Sequence, residues 1–168
     1  MEDFRAYVAA RGPALLRSAV LLTGDRQLAE DLVQTALIRV HGRWERIRSA
    51  EAVDAYVRRA MVTTYLNWWR RRWRGEVPTG SLPDTPVTGG LDRVETRLPV
   101  AAALARLPRR MRAVVVLRYF DDLPDAEIAA LLGCSPGTVR SQATRALAKL
   151  RADGALADLA PTEREPER

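Results

Sequence analysis

Residues 75–90, GEVPTGSLPDTPVTGG, constrain this chain more than any other stretch. Glycine and proline fill seven of the sixteen positions. Such a segment cannot continue a helix, and it offers almost no side chain to a core. Whatever lies on either side must therefore find its own apolar partners. The expectation is two packed modules, 1–74 and 97–152, joined by a flexible acidic linker at 75–96. Residues 153–168 read as a disordered acidic tail, with no added C-terminal domain.

Both flanks show helical spacing, and strand alternation is absent throughout. In the first, Phe4, Tyr7, Val8, Leu15, Ala19 and Leu22 form a broken stripe that Gly12-Pro13 should interrupt or kink. Thr23-Gly24-Asp25 is a turn. Leu28, Leu32, Ala36 and Val40 resume the period as far as Gly42. A third helix is predicted from about Ala52 to Arg72, with Val53, Tyr56, Val57, Ala60, Met61, Thr64 and Trp68 on its apolar face. The second flank begins near Leu98 and reads as short helices separated by Pro108. The expected fold class is all-α: two small helical domains on a flexible linker.

The most specific stretch is 123–151, LPDAEIAALLGCSPGTVRSQATRALAKLR. A short helix from Asp125 to Leu132 ends at Gly133, which accepts a positive φ. Ala129 is small where a second helix must cross. Ser135 is a good N-cap, and Pro136 stands at the first helical position, where its missing N–H is harmless. Val139, Ala143, Ala146, Leu147 and Leu150 then define one apolar face. Gly137, Ser141, Thr144, Arg145 and Ala148 lie opposite, flanked by Thr138 and Arg140. Small, hydroxyl-bearing and arginine side chains on a free face suit the edges and phosphates of a DNA major groove. The layout is that of a helix-turn-helix, with Thr138, Arg140, Ser141, Thr144 and Arg145 as DNA-binding candidates.

Charge agrees with this reading. Residues 1–74 carry 14 basic and 8 acidic side chains, and 97–151 carry 10 and 4, so each block is net +6. The connector and the tail are each net −3. Two basic blocks separated by acid suggest two modules that each meet a polyanion. The stretch LNWWRRRWRG, 66–75, holds three tryptophans and four arginines. Tryptophan with arginine suits either an anionic lipid surface or a nucleic acid. The preceding helix is a packed one and no second membrane signal exists. Duplex phosphate is therefore favoured for Arg70, Arg71, Arg72 and Arg74, which also suit the negative end of a helix dipole.

A C-terminal helix-turn-helix, a helical N-terminal module and a linker together resemble one family. The chain is similar to bacterial RNA polymerase sigma factors of the sigma-70 family, extracytoplasmic-function subfamily, in an actinobacterial sigma-E-like branch. AEDLVQTAL (29–37) resembles the family's docking helix for the β′ clamp of core polymerase. Residues 107–151 resemble its C-terminal domain nearly end to end. The resemblance implies a region 2-like domain at 1–74 and a region 4-like domain at 97–152. It implies that Asp31 and Gln34 contact core polymerase; Thr35 stands where the family usually has an acid. It implies that the third helix and the loop before it open the −10 element, with Arg48, Ser49, Arg59, Thr63 and Asn67 as candidates beside Arg70 and Arg71. Thr63 occupies a position where many relatives have Asn. Capturing an unstacked base offsets part of the cost of unpairing it. Implied partners are core polymerase, through its β′ clamp and β flap, promoter DNA, and an anti-sigma factor.

The linker passes a length check. About 22 residues reach at most ~75 Å, and elements one and a half to two duplex turns apart are separated by ~50–70 Å. Other classes lack support. The single histidine, His41, and single cysteine, Cys134, have no partner cluster in sequence, so neither a metal site nor a cofactor is expected. Clustered carboxylates, or a nucleophile with a base, are missing, which disfavours a nucleic-acid-processing enzyme. A stand-alone helix-turn-helix regulator with a sensing N-terminal domain shares the C-terminal features but leaves AEDLVQ unexplained. With no secretory apolar core, no membrane-length run and no disulfide, a cytoplasmic location is expected.

Overall fold

A computed structural model describes residues 3–47, 49–73 and 99–154. Among them every regular element is helical. The first module contains α1 (Phe4–Thr23), α2 (Arg26–His41), a 3₁₀ turn (Trp44–Arg46) and α3 (Ala50–Trp73). The second contains α4 (Pro99–Ala105), α5 (Arg109–Val115) continued by a π turn (Val116–Phe120), α6 (Asp125–Leu132) and α7 (Pro136–Ala152).

The helix ends follow local chemistry. Asp3 and Asp25 cap α1 and α2, the Asp25 carboxylate accepting from the Leu28 amide at 2.9 Å. Gly24 takes φ +70° and lets the chain reverse between them, its N–H bonding back to the Val20 carbonyl. The expected interruption at Gly12-Pro13 does not occur. Helix α1 runs through Pro13, which faces solvent, so the carbonyl freed by the missing N–H can meet water. Phe4 and Tyr7 meet Trp44 edge-on or tilted, at 5.1 and 5.6 Å between ring centroids, and Phe4 meets His41 at 4.9 Å, pinning the start of α1 to the end of α2.

Most of the expected apolar stripes are buried, while Phe4, Val8, Leu15, Leu28, Tyr56 and Trp68 are half-buried. Ala29, Leu32, Ala36 and Val40 of α2 are buried, as are Val53, Val57, Ala60, Met61 and Thr64 of α3. Two further residues of α3, Val62 and Tyr65, are 1% exposed. So are all four of Ala19, Val20, Leu21 and Leu22 in α1 buried. Consecutive buried residues on a helix mean that two of its faces are covered.

The second cover is the other module: the two helical domains pack on each other. Helix α1 packs on α4 and α5, and α3 packs on α5 and α6, so one apolar cluster runs through both modules. Polar contacts cross as well. Ser18 Oγ donates to Asp121 Oδ1 at 2.6 Å, Arg58 lies 3.8 Å from Asp121 Oδ2, and Arg112 donates to the Leu22 carbonyl at 2.9 Å. The physical reason lies in composition: α1 and α3 carry apolar side chains beyond the one stripe each needs within its own module. Removing a large aliphatic side chain from water stabilises by roughly 1.5–3 kcal/mol, so such surplus surface finds a cover. The predicted linker at 75–96 lies outside the described residues.

Candidate functional site

Helix α7 is positioned by its own turn. Gly133 adopts φ +65°, ending α6, and Arg110 donates to the Leu132 carbonyl at 2.8 Å. Ser135 Oγ accepts from the Thr138 amide at 3.1 Å and starts α7, with Pro136 at the first helical position. Val139, Ala143, Ala146 and Leu150 are buried against α5 and α6, while Leu147 is half-buried. Ala129, 4% exposed, is the small residue at the crossing.

The opposite face of α7 is open. Arg140, Ser141, Thr144 and Arg145 are exposed, and Thr138 is half-buried. The hydroxyls are parked on the backbone: Ser141 bonds the Thr138 carbonyl and Thr144 the Arg140 carbonyl, both at 3.0 Å. Thr138 Oγ1 lies 2.9 Å from Ser135 Oγ, so it serves the cap and sits at the edge of the face. Arg140 and Arg145 form no ion pair among the described residues. The face thus offers two unpaired guanidiniums beside small side chains, which lets a groove approach closely.

Helix α3 carries the second set. Arg59, Thr63, Asn67 and Arg70 are exposed and follow one another at spacings of 4, 4 and 3, a single ridge along the helix. Ser49 is exposed at its start, where its hydroxyl accepts from the Ala52 amide at 3.2 Å and so has a capping job of its own. Arg71 continues the helix backbone. Arg48 lies outside the described residues, as do the side chains of Trp69, Arg71, Arg72 and Trp73. Trp68 is half-buried against the core, as its place on the stripe predicted. No described helix is long and apolar enough to cross a membrane.

Helix α2 presents the third set. Asp31 and Gln34 are both exposed on one face, opposite Leu32, Ala36 and Val40. Ile38, one turn beyond Gln34, is 65% exposed. It overlooks an open groove of about 440 Å³ between α1 and α2, lined by Phe4, Val8, Leu16, Val33 and Leu37. Sequence reading passed over Ile38. Its signal was an aliphatic side chain off the buried stripe. Tyr119 and Phe120, 46% and 45% exposed at the π turn, were missed in the same way. So was Asp121, a partly buried carboxylate whose pKa is raised, chiefly by desolvation; the Ser18 hydrogen bond and the Arg58 charge act in the other direction.

Comparison with known proteins finds a family match on each module. Residues 7–75 match the family described as "Sigma-70 region 2", and residues 97–150 match "Sigma-70, region 4". The chain is 45% identical over 157 residues to the RNA polymerase sigma-E factor of Streptomyces coelicolor, covering 94% of this chain and 89% of that protein. It is 35% identical over 137 residues to the ECF RNA polymerase sigma factor SigM of Mycobacterium tuberculosis, covering 81% and 69%. Among solved structures it is similar to the sigma factor RpoE of Bartonella quintana in complex with the anti-sigma factor NepR. That match has a TM-score of 0.68 and 25% identity, over 90% of this chain and 96% of that one. It is also similar to CnrH in complex with the cytosolic domain of CnrY, with a TM-score of 0.61 and 25% identity over 94% and 91%.

Proposed function

Because the chain belongs to the sigma-70 family, in its extracytoplasmic-function group, we propose a division of labour among its three exposed helix faces. The protein is a transcription initiation factor that binds core RNA polymerase and directs it to particular promoters. In our reading, α7 enters the major groove of the −35 element, where Arg140 and Arg145 meet guanine edges or phosphate. Ser141 and Thr144 exchange their backbone bonds for base or phosphate contacts, and Thr138 holds the start of the helix at the groove. The ridge Arg59, Thr63, Asn67 and Arg70, with Arg48, Ser49 and Arg71, tracks the −10 element and supports its opening. Asp31 and Gln34 contact the β′ clamp. Ile38 and the apolar groove beside it add a dry centre to that polar contact.

The observation that carries this reading is the order of the two family matches, one on each helical module, with an open polar face on the region 4 recognition helix. No bond-making chemistry is assigned to this chain; nucleotide joining belongs to core polymerase. The RpoE sigma factor of Bartonella quintana is solved in complex with the anti-sigma factor NepR, and a protein of that class is the regulator proposed here. A cytoplasmic location follows from the polymerase it serves.

Run-off transcription with purified core polymerase tests the function. Promoter-dependent transcripts that require this chain are expected. DNA binding without any effect on core polymerase would favour the stand-alone regulator. Asp31→Ala with Gln34→Ala should abolish co-purification with core polymerase while the thermal transition stays in place; unchanged co-purification refutes the docking assignment.

A further inference from the structure

We propose that Arg39 and Arg43 form a second row of phosphate contacts beside the α3 ridge, holding one strand of opened DNA with its backbone on the arginines and its bases toward α3. The inference deepens the strand-opening role proposed for that ridge and rests on it. Arg39 stands in the last turn of α2 and Arg43 just past its end, yet both reach across to α3. Arg39 Nη1 donates to Thr64 Oγ1 at 3.0 Å. The Arg43 guanidinium lies over the Tyr56 ring, 5.7 Å from its centroid.

Both anchor points border the ridge. Tyr56 precedes Arg59 by three residues and extends the line of Arg59, Thr63, Asn67 and Arg70 toward the start of α3. Thr64 follows Thr63 and lies one turn before Asn67. The arginine row and the polar ridge therefore run side by side. At about 1.5 Å per residue, Tyr56 and Thr64 are separated by ~12 Å along the helix. Three to four stacked nucleotides cover that length at ~3.4 Å each. A single strand presents phosphates along one edge and bases along the other, which two such parallel lines can receive.

Holding the fold together does not account for the pair. Thr64 is 2% exposed, but a buried threonine can bond the carbonyl one turn back and needs no charge from another helix. Both arginines are exposed. Neither forms an ion pair among the described residues, although Glu45 and Glu51 stand nearby in sequence. Each guanidinium is braced by α3 on one side and open on the other. A guanidinium stacked on a ring keeps its edge N–H groups for a phosphate, and a braced side chain loses less freedom when one binds.

Salt-dependent binding tests this. The full chain is titrated against a fluorescent twelve-nucleotide thymidine strand at several salt concentrations, with anisotropy as the readout. Each phosphate contact on a single strand contributes roughly 0.7 to the slope of log affinity against log salt. R39Q/R43Q should therefore flatten the slope by about 1.4 and weaken binding about fivefold or more at low salt. R39K/R43K keeps both charges and should recover most of the affinity. R5Q/R17Q removes the same net charge from exposed positions on α1 and should leave the slope nearly unchanged. Arg43→Gln alone breaks no hydrogen bond and should flatten the slope by about 0.7, which decides the matter if the double variant melts early. An unchanged slope in the Arg39 and Arg43 variants, or equal flattening by R5Q/R17Q, overturns the row. On a dA·dT duplex of the same length, parent and R39Q/R43Q should show equal slopes; flattening there as large as on the strand would overturn the strand assignment. With core polymerase, R39Q/R43Q should slow promoter opening. A parent chain that supports no run-off overturns the initiation-factor reading, and the promoter strand as ligand with it. Run-off by the parent together with an unaltered slope overturns the row alone.

Discussion

Helices α3 and α7 each carry an exposed polar ridge, the two proposed above to meet DNA, yet they are held in opposite ways. Helix α7 buries one clean stripe, Val139, Ala143, Ala146 and Leu150, and leaves the rest of its circumference open. Helix α3 is a central pillar, buried over a broad arc that takes in Val57, Met61, Val62 and Tyr65 and packed on α2 as well as on α5 and α6. Only a narrow ridge remains free. On the roles proposed above, the contrast teaches that a recognition helix is chosen by what it leaves uncovered, whereas a melting helix has to be anchored. Holding a strand open loads the protein, and a helix seated on two sides transmits that load to a core. The sharpest break of this contrast is Val62→Asp. An unpaired carboxylate at a fully buried position costs more than ~4 kcal/mol, which lowers the melting temperature by roughly 10 °C or more. Ala148→Asp, on the open face of α7, should shift it by less than ~2 °C. Thermal unfolding followed by circular dichroism distinguishes them; a tolerated Val62→Asp would mean that the second face of α3 is not packed.

The ridges should separate next by the step they affect. Arg140→Ala and Arg145→Ala are each expected to weaken binding to the −35 duplex by about 1–3 kcal/mol, about five- to more than a hundredfold. Their melting temperatures should not move, since both side chains are exposed and unpaired. Arg59→Ala or Asn67→Ala should leave duplex affinity nearly intact and slow promoter opening instead, measured by permanganate footprinting of unpaired thymines. Loss of duplex binding from the α3 variants, with normal opening from the α7 variants, would exchange the two roles.

Much of this division was legible in the sequence, for a physical reason. Turn and cap chemistry is local, so Gly133, Ser135 and Pro136 announce a helix-turn-helix without any tertiary knowledge. The α2 stripe is equally local, because one helix period sorts Leu32 and Ala36 from Asp31 and Gln34. What remained hidden depends on contacts between segments about a hundred residues apart. Ser18 and Asp121 are unremarkable in sequence, and nothing near either one identifies the other. Val62 and Tyr65 were not singled out, because one stripe is all that an isolated three-helix module needs. Ile38 escaped notice for the converse reason. An aliphatic residue off the stripe is a weak signal on its own, and the packed arrangement shows it uncovered.

A smaller effect sharpens the account of how α7 is set in place. Ser135→Ala removes the acceptor for the Thr138 amide and releases the Thr138 hydroxyl together with it. A lost N-cap costs about 1 kcal/mol, or some 2–4 °C in melting temperature. The first turn of α7 carries Thr138 and leads into Arg140, so −35 affinity should fall alongside stability. A stability loss with unchanged affinity would show that the frayed turn re-forms on DNA.

The smallest expected effect concerns the seam that joins α3 to the second module. Burial raises the Asp121 pKa, and neighbouring Asp122 adds to the rise, against the opposing pull of Ser18, Arg58 and Arg11. The folded state therefore binds this proton more tightly than the unfolded chain does. The resulting contribution to stability is fully present below the ordinary carboxylate range and is lost as pH rises through the elevated folded value. At neutral pH the ionised carboxylate is a mild burden on the seam. Asp121→Asn keeps an oxygen for the Ser18 hydroxyl without the charge, so it should melt about one or two degrees above the parent at pH 7. That gap should close on acidification, as the parent takes up its proton. A gap of opposite sign at pH 7 would mean that the attraction of Arg58 outweighs the cost of burial. The seam between α3 and the second module would then be held by its ion pair and not by the apolar side chains around it.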